Sequence, residues 1–152
     1  MASPQERLRN LAEKVGSLLV EPTAHEEIER LFAGADERLR DAANDKLGAS
    51  SRFTLAYEAA HGFALVSLRF RGYRPSTQVK GHRKVVFDVL GDTADVPSDL
   101  SSALARYHDR RNRITYDAMF IATGAEAEDL VRLVTALRQR VAEALGRNQL
   151  PD

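Results

Sequence analysis

The residues best suited to chemistry in this chain lie together on one short segment. His108, Asn112 and Tyr116 follow one another at intervals of four, and Arg111 lies beside them. Side chains four residues apart are neighbours on the surface of a helix. An imidazole, an amide, a phenol and a guanidinium would therefore face one region. This combination predicts a site that cradles a phosphate or an RNA backbone.

Arg111 interrupts the apolar pattern of the helix that carries these residues. Leu100, Leu104, Tyr107 and Ile114 form a stripe at helical spacing, and Arg111 falls in the middle of it. An arginine keeps its charge, and burying it without a partner is costly. Arg111 is therefore expected to meet a carboxylate, a second subunit, a wet cleft or an anionic ligand.

Two interpretations of this arginine stay open. In the structural one, Arg111 joins two helices through a carboxylate of its own subunit, with Glu58 and Asp88 as the candidates. In the functional one, it binds a phosphate, and Arg110 and Arg113 add local positive charge.

Composition limits the kind of partner. The chain has 152 residues, with 22 Lys plus Arg against 22 Asp plus Glu, so its net charge is zero. A protein that held nucleic acid by bulk charge would be basic, so any such contact here must be a local patch. Cysteine is absent, and no two of the four histidines lie at the i, i+4 spacing of a ligand pair. We expect neither a metal nor a cofactor.

Helical periodicity dominates the chain and predicts the fold class. We expect an all-α, up-and-down antiparallel bundle of about five to six helices. It would form a single domain over residues 1–152, with a core at about 26–145 and an N-terminal helix within 1–22. The helices are predicted at about residues 4–20, 23–47, 52–71, 82–90, 98–116 and 125–145.

Local signals place the boundaries of these helices. Thr23 with Glu26 predicts a capping box, and the serines after Gly48 predict a cap for the third helix. Gly72 fits a left-handed residue that ends that helix, and Gly91 is expected to close the short helix. Residues 73–81 and 92–97 are predicted to be loops. Strands are not expected.

The chain shows no sign of a membrane segment. No apolar run approaches the roughly 20 residues that span a bilayer. The first ten residues include charged side chains where a signal peptide would be apolar. We expect a cytoplasmic protein.

The segment from Tyr107 to Asp117 resembles the signature helix of the HEPN domain family. That motif is an arginine, usually followed by a polar residue, and then a histidine four to six residues on; Arg111-Asn112 matches its first half. The resemblance covers about Glu26 to Leu145 and is closest to HEPN-like proteins of the actinobacterial type. It extends to three upstream segments: Ser51–Ala60, Gly72–Pro75 and Gly81–Phe87.

The resemblance implies a helical bundle that forms a homodimer, with two signature helices facing one cleft. It also implies a defence or toxin–antitoxin context and metal-independent cleavage of RNA. In such a site Arg111 would bind and stabilise the phosphate, while a histidine would assist proton transfer.

The chain departs from the motif where the histidine is expected, because Tyr116 stands there. A phenol has an ordinary pKa near 10 and is a poor base at neutral pH. Three functions stay open. The first is an RNA-associated protein that is non-catalytic or atypical. The second is an active endoribonuclease that uses Arg111 with His108 or His82. The third is a helical adaptor that docks a nucleotidyltransferase or antitoxin partner, with Tyr116 as a possible modification target.

Overall fold

The computed structural model describes residues 1–78, 82–114 and 121–147; the side chains of Arg113, Ile114 and Arg147 lie outside this description. The described residues form an all-α helical bundle with one small sheet, as the periodicity predicts. In chain order the elements are α1 (Pro4–Asn10), a π turn (Leu11–Val15), β1 (Leu18–Val20), α2 (His25–Ala42), α3 (Ala49–Phe70), β2 (Tyr73–Pro75), α4 (His82–Asp88), α5 (Leu90–Thr93), α6 (Ser98–Ile114) and α7 (Gly124–Arg147).

Helix α3 is the centre of the bundle. It is apolar around most of its girth and packs against α2 and α7 along its length, and against α4, α5 and α6 on its other side. Phe53, Tyr57, Phe63 and Leu68 are each at most 2% exposed. Burying side chains of this size contributes about 1.5–3 kcal/mol each, so α3 anchors every other long helix.

The four long helices alternate in direction along the chain. Arg52, at the start of α3, donates to the carbonyl of Ala42 at the end of α2 and pairs with Glu128 near the start of α7. Arg69, near the end of α3, pairs with Glu27 at the start of α2. α2 is therefore antiparallel to α3, while α3 and α7 run the same way.

The α6–α7 pair completes this pattern. Arg110 near the end of α6 pairs with Glu126 in the first turn of α7, and the Tyr107 hydroxyl donates to Asp129 one turn further on. These contacts make α6 antiparallel to α7. The predicted up-and-down arrangement is thus confirmed for the long helices.

The N-terminal segment differs from the prediction of one helix over residues 4–20. Helix α1 ends at Asn10, a π turn follows, and Gly16 takes a left-handed conformation with φ of 82°. Residues 18–20 then form β1, which pairs antiparallel with β2. The apolar residues Leu8 and Leu18 are both buried, so helical spacing of apolar residues did not guarantee one continuous helix.

The small sheet also corrects the prediction of a loop directly after α3. Gly72, with φ of 89°, ends α3 as predicted, and the chain then pairs as β2 with Leu18 opposite Pro75. Three-residue strands carry too little alternation to be recognised from sequence.

Two predicted helix caps do not form, and a capping box that was not predicted forms at the start of α7. Helix α2 begins after Ala24 without a side-chain cap, so the Thr23–Glu26 capping box does not form. Helix α3 begins after Gly48, and Ser50 instead accepts a bond from the backbone of Ala122. At α7, Thr123 and Glu126 cap each other's backbone N–H groups at 3.1 and 3.0 Å.

The short helix predicted over residues 82–90 is two helices in the structure. The first ends at Asp88, and a second short helix from Leu90 to Thr93 contains Gly91 rather than ending at it. Among the described helices, none combines the length and apolar character needed to cross a membrane.

Candidate functional site

On α6, His108 is buried more deeply than Arg111. His108 is 4% exposed, less than the neighbouring Tyr107 and Arg111, which are both half-buried. The imidazole packs against the rings of Tyr57 and Phe87 at centroid distances of 5.9 and 5.6 Å. His108 therefore lies on the buried face of α6.

Both ring nitrogens of His108 have partners. Nδ1 lies 2.8 Å from the Tyr57 hydroxyl, and Nε2 lies 3.0 Å from the side-chain amide of Asn112. Burial lowers the pKa of His108, and Arg83 lowers it further, against the opposing effect of Asp109. A neutral imidazole donates through one nitrogen and accepts at the other, which matches two partners on opposite sides.

Arg111 lies over the ring of Tyr57, with its guanidinium carbon 5.0 Å from the ring centroid. A cation over an aromatic face is stabilised by the ring quadrupole, by about 0.5–2 kcal/mol. This contact contributes to stabilising a charged side chain within the apolar stripe of α6. Glu58, one of the two carboxylates proposed for Arg111, pairs with Arg83 at 3.4 Å.

Arg83 is a second cation on the same tyrosine. Its guanidinium carbon lies 5.7 Å from the Tyr57 centroid, and its side chain is 44% exposed. Burial raises the pKa of Tyr57, while Arg83 and Arg111 oppose that rise. Tyr57 therefore keeps its proton at neutral pH, and two guanidinium groups meet on its ring.

Two more histidines lie in the same region. His61, one turn after Tyr57 on α3, has its ring 6.2 Å from that of Phe87. Burial lowers the pKa of His61 to about 4, with further lowering by Arg83, His108 and His82. His82, at the exposed start of α4, immediately precedes Arg83. We refer to Tyr57, His61, His82, Arg83, His108 and Arg111 as the Tyr57 cluster.

The other predicted site residues divide into three groups. Asn112 belongs with the cluster through His108. Arg110 does not: it binds Glu126 at 2.7 Å and donates to the carbonyl of Ile121, so it fastens α6 to the start of α7. Tyr116 and the side chain of Arg113 lie outside the described residues.

The chemistry of the cluster suits an anion and offers little to a metal. No group of three or more His, Asp or Glu side chains within the described ranges is arranged to hold a metal ion. The histidines stand instead beside two guanidinium groups, which repel a cation and attract a phosphate.

Sequence reasoning missed Tyr57, His61 and Arg83. Tyr57 and His61 lie on α3, where aromatic spacing indicates core, and Arg83 lies on a short helix whose orientation no local pattern fixes. Spacing within one helix found the part of the cluster on α6. The remainder depends on how α3 and α4 pack against α6.

Comparison with known proteins adds no relative. No protein-family model matches the chain, and neither a curated protein nor a solved structure matches it. The HEPN resemblance therefore stays a prediction that is based on the residues of α6 and the three upstream segments.

Proposed function

We propose that this protein is an RNA-associated module of the HEPN type that binds the RNA backbone at the Tyr57 cluster, in a defence or toxin–antitoxin context. The observation that carries the proposal is the meeting of Arg83 and Arg111 on one buried tyrosine ring. Two like charges repel each other, and the Glu58 carboxylate at Arg83 brings one negative charge to the pair, so the arrangement favours a further anion near both guanidinium groups. A phosphodiester group is the anion that RNA presents.

The proposed module is non-catalytic or atypical rather than a histidine-driven nuclease. His108 is almost fully buried and both its nitrogens are engaged, so it is unsuited to take a proton from a substrate. Its place between Tyr57 and Asn112 suits a positioning role, because it links the ring under Arg111 to α6 itself.

Replacement of Arg111 tests the proposed function. We expect Arg111→Ala to weaken binding of a short fluorescein-labelled single-stranded RNA by about tenfold or more, since one charge-assisted phosphate contact is lost. The slope of log affinity against log salt should also fall by about 0.7, the change expected for one phosphate contact on a single strand. Fluorescence anisotropy over about 50 to 200 mM salt measures both quantities.

Arg140→Ala is the matched control, because Arg140 is an exposed arginine on α7 outside the cluster. It should leave both the affinity and the salt slope unchanged. If Arg111→Ala binds RNA as tightly as the parent protein, with the same slope, the proposed function is wrong.

A second candidate function, metal-independent RNA cleavage, is favoured by the other two histidines of the cluster. His82 is exposed, and His61 is half-buried near Arg83, so each offers an imidazole near the place proposed for a bound strand. The same RNA, incubated with chelator and resolved on a gel, separates the candidates. Cleavage that is lost in both Arg111→Ala and His82→Ala would favour the nuclease, and intact RNA would favour the binding module.

A further inference from the structure

A groove of about 580 Å³ lies between the N-terminal segment and α4, next to the Tyr57 cluster. One wall comes from Asn10, Leu11 and Ser17, and the other comes from α4 and the residue that follows it. Its volume falls within the range of about 300–1,000 Å³ that is typical of ligand sites in proteins. Two of its lining residues, His82 and Asp88, are among those considered from the sequence.

The groove has an apolar floor and a polar rim of both signs. Leu11, Val85 and Val89 form apolar surface, while Lys84 and Asp88 lie on the rim. Asp92, also on the rim, is engaged by Arg7 through bonds of 2.6 and 2.8 Å. A lining of mixed charge does not favour an anion. It suits a flat, neutral group that has hydrogen-bonding edges.

Ser17 supplies an independent observation. Its hydroxyl oxygen is buried and has no hydrogen-bond partner among the described residues, and the residue lines this groove. A buried polar atom without a partner costs about 1–3 kcal/mol. A rotation of the Ser17 side chain towards the groove would bring this oxygen within reach of a polar atom of a ligand and would remove that cost.

His82 connects the groove to the cluster. It lines the groove, and the next residue of α4, Arg83, lies over the ring of Tyr57. A strand whose phosphate lies at Arg83 and Arg111 would therefore bring its next nucleoside past His82 to the mouth of the groove.

We propose that this groove binds one nucleoside unit of the same single-stranded RNA whose phosphate is held by the Tyr57 cluster. The inference rests on the proposed function. The base would pack on the floor formed by Leu11, Val85 and Val89, and its polar edge would face the Ser17 hydroxyl and the rim. The two guanidinium groups of the cluster and the mixed-charge groove would thus take the two chemically different parts of one nucleotide.

Filling the groove tests this inference. Asn10 is an exposed residue at the end of α1 that lines the groove, so Asn10→Trp should occupy the groove without disturbing the core. We expect this variant to bind the labelled RNA at least about fivefold more weakly, the loss expected when one base contact of about 1 kcal/mol is removed. Inorganic phosphate, which reports on the cluster alone, should raise the thermal midpoint of the variant as much as that of the parent.

Gln139→Trp is the matched control, since it also places a tryptophan at an exposed, neutral helical position, but on α7 outside the groove. It should bind RNA normally, and equal thermal midpoints without ligand would show that both variants fold. If Asn10→Trp binds RNA as the parent does, or loses phosphate and RNA binding together, the groove proposal is wrong. Normal RNA binding by Arg111→Ala would instead overturn the proposed function.

Discussion

Tyr57 is the residue on which the candidate site is built. Its ring contacts two guanidinium groups and its hydroxyl contacts His108. Each cation–π contact is worth about 0.5–2 kcal/mol, but two neighbouring cations also repel each other. Tyr57 therefore holds Arg83 and Arg111 in place with the help of α3, rather than leaving each to find its own position in water.

His61 should make the stability of the protein depend on pH. Its pKa is about 4 in the folded chain and about 6.5 when unfolded, so the unfolded chain binds more protons between these values. Its contribution is complete above about pH 6.5 and is lost as pH falls towards 4. From about pH 7.5 to about pH 5 we expect a loss on the order of 2 kcal/mol, measured as the free energy of unfolding in urea.

Two glutamine variants isolate this effect. His61→Gln cannot take up a proton, so its stability should fall less over the same range. His25→Gln is the control and should behave as the parent protein does, because His25 is an exposed residue of α2 outside the Tyr57 cluster. An unchanged pH dependence in His61→Gln would show that this histidine is not the group responsible.

Only the part of the candidate site that lies on one helix could be predicted from the sequence. Arg111, His108 and Asn112 follow from spacing on α6, whereas His108 proved to be buried because α6 is rotated towards Tyr57. Arg83 contributes through the packing of α4 against α6. Contacts between elements that are far apart in the chain leave no trace in local periodicity.

At the scale of elements, identical capping signals have opposite outcomes. Thr-x-x-Glu occurs at Thr23–Glu26 and at Thr123–Glu126, and only the second forms a capping box. The chain before α2 is held extended, because the backbone N–H of Glu21 donates to Gly72 beside the sheet. This pairing favours a start of α2 after Ala24, so Thr23 lies outside the helix.

This difference predicts unequal effects of one substitution. Thr123→Ala removes a side-chain cap and should lower the free energy of unfolding by about 1 kcal/mol. Thr23→Ala removes only a long contact of 3.5 Å to the carbonyl of Glu21 and should change it by less than about 0.5 kcal/mol. Urea denaturation of both variants provides the comparison, and equal losses would contradict the assignment of the caps.

At the scale of the whole molecule, the closeness of α2 and α3 depends on a glycine. A Cβ added at Gly62 would lie 2.9 Å from the Cβ of Ala35 on the facing helix. Glycine and alanine at facing positions let two helices approach each other closely. The periodicity predicted both helices and their antiparallel order, but not which residues face each other where they cross.

Gly62→Ala should therefore destabilise the bundle although alanine favours helices. We expect a loss of about 1–3 kcal/mol, because backbone or packed side chains must move. Gly34→Ala is the matched variant: its Cβ would meet only the flexible end of Arg38 at 3.4 Å, so it should be neutral or gain up to about 1 kcal/mol. Thermal or urea unfolding of the pair measures the difference, and a stable Gly62→Ala protein would show that the two helices can separate at low cost.

The pairing of β1 with β2 has a bearing on how the protein can be shortened. The sheet holds Glu21, which binds Arg74 and also Arg69, a guanidinium that is only 7% exposed. A version that starts at α2 would leave that charge in a dry interior with Glu27 as its remaining acidic neighbour, and would uncover the place filled by Leu18. It would also delete one side of the 580 Å³ groove. Loss of RNA affinity in such a truncation would therefore not locate the binding surface, and only point changes in the full chain can do so.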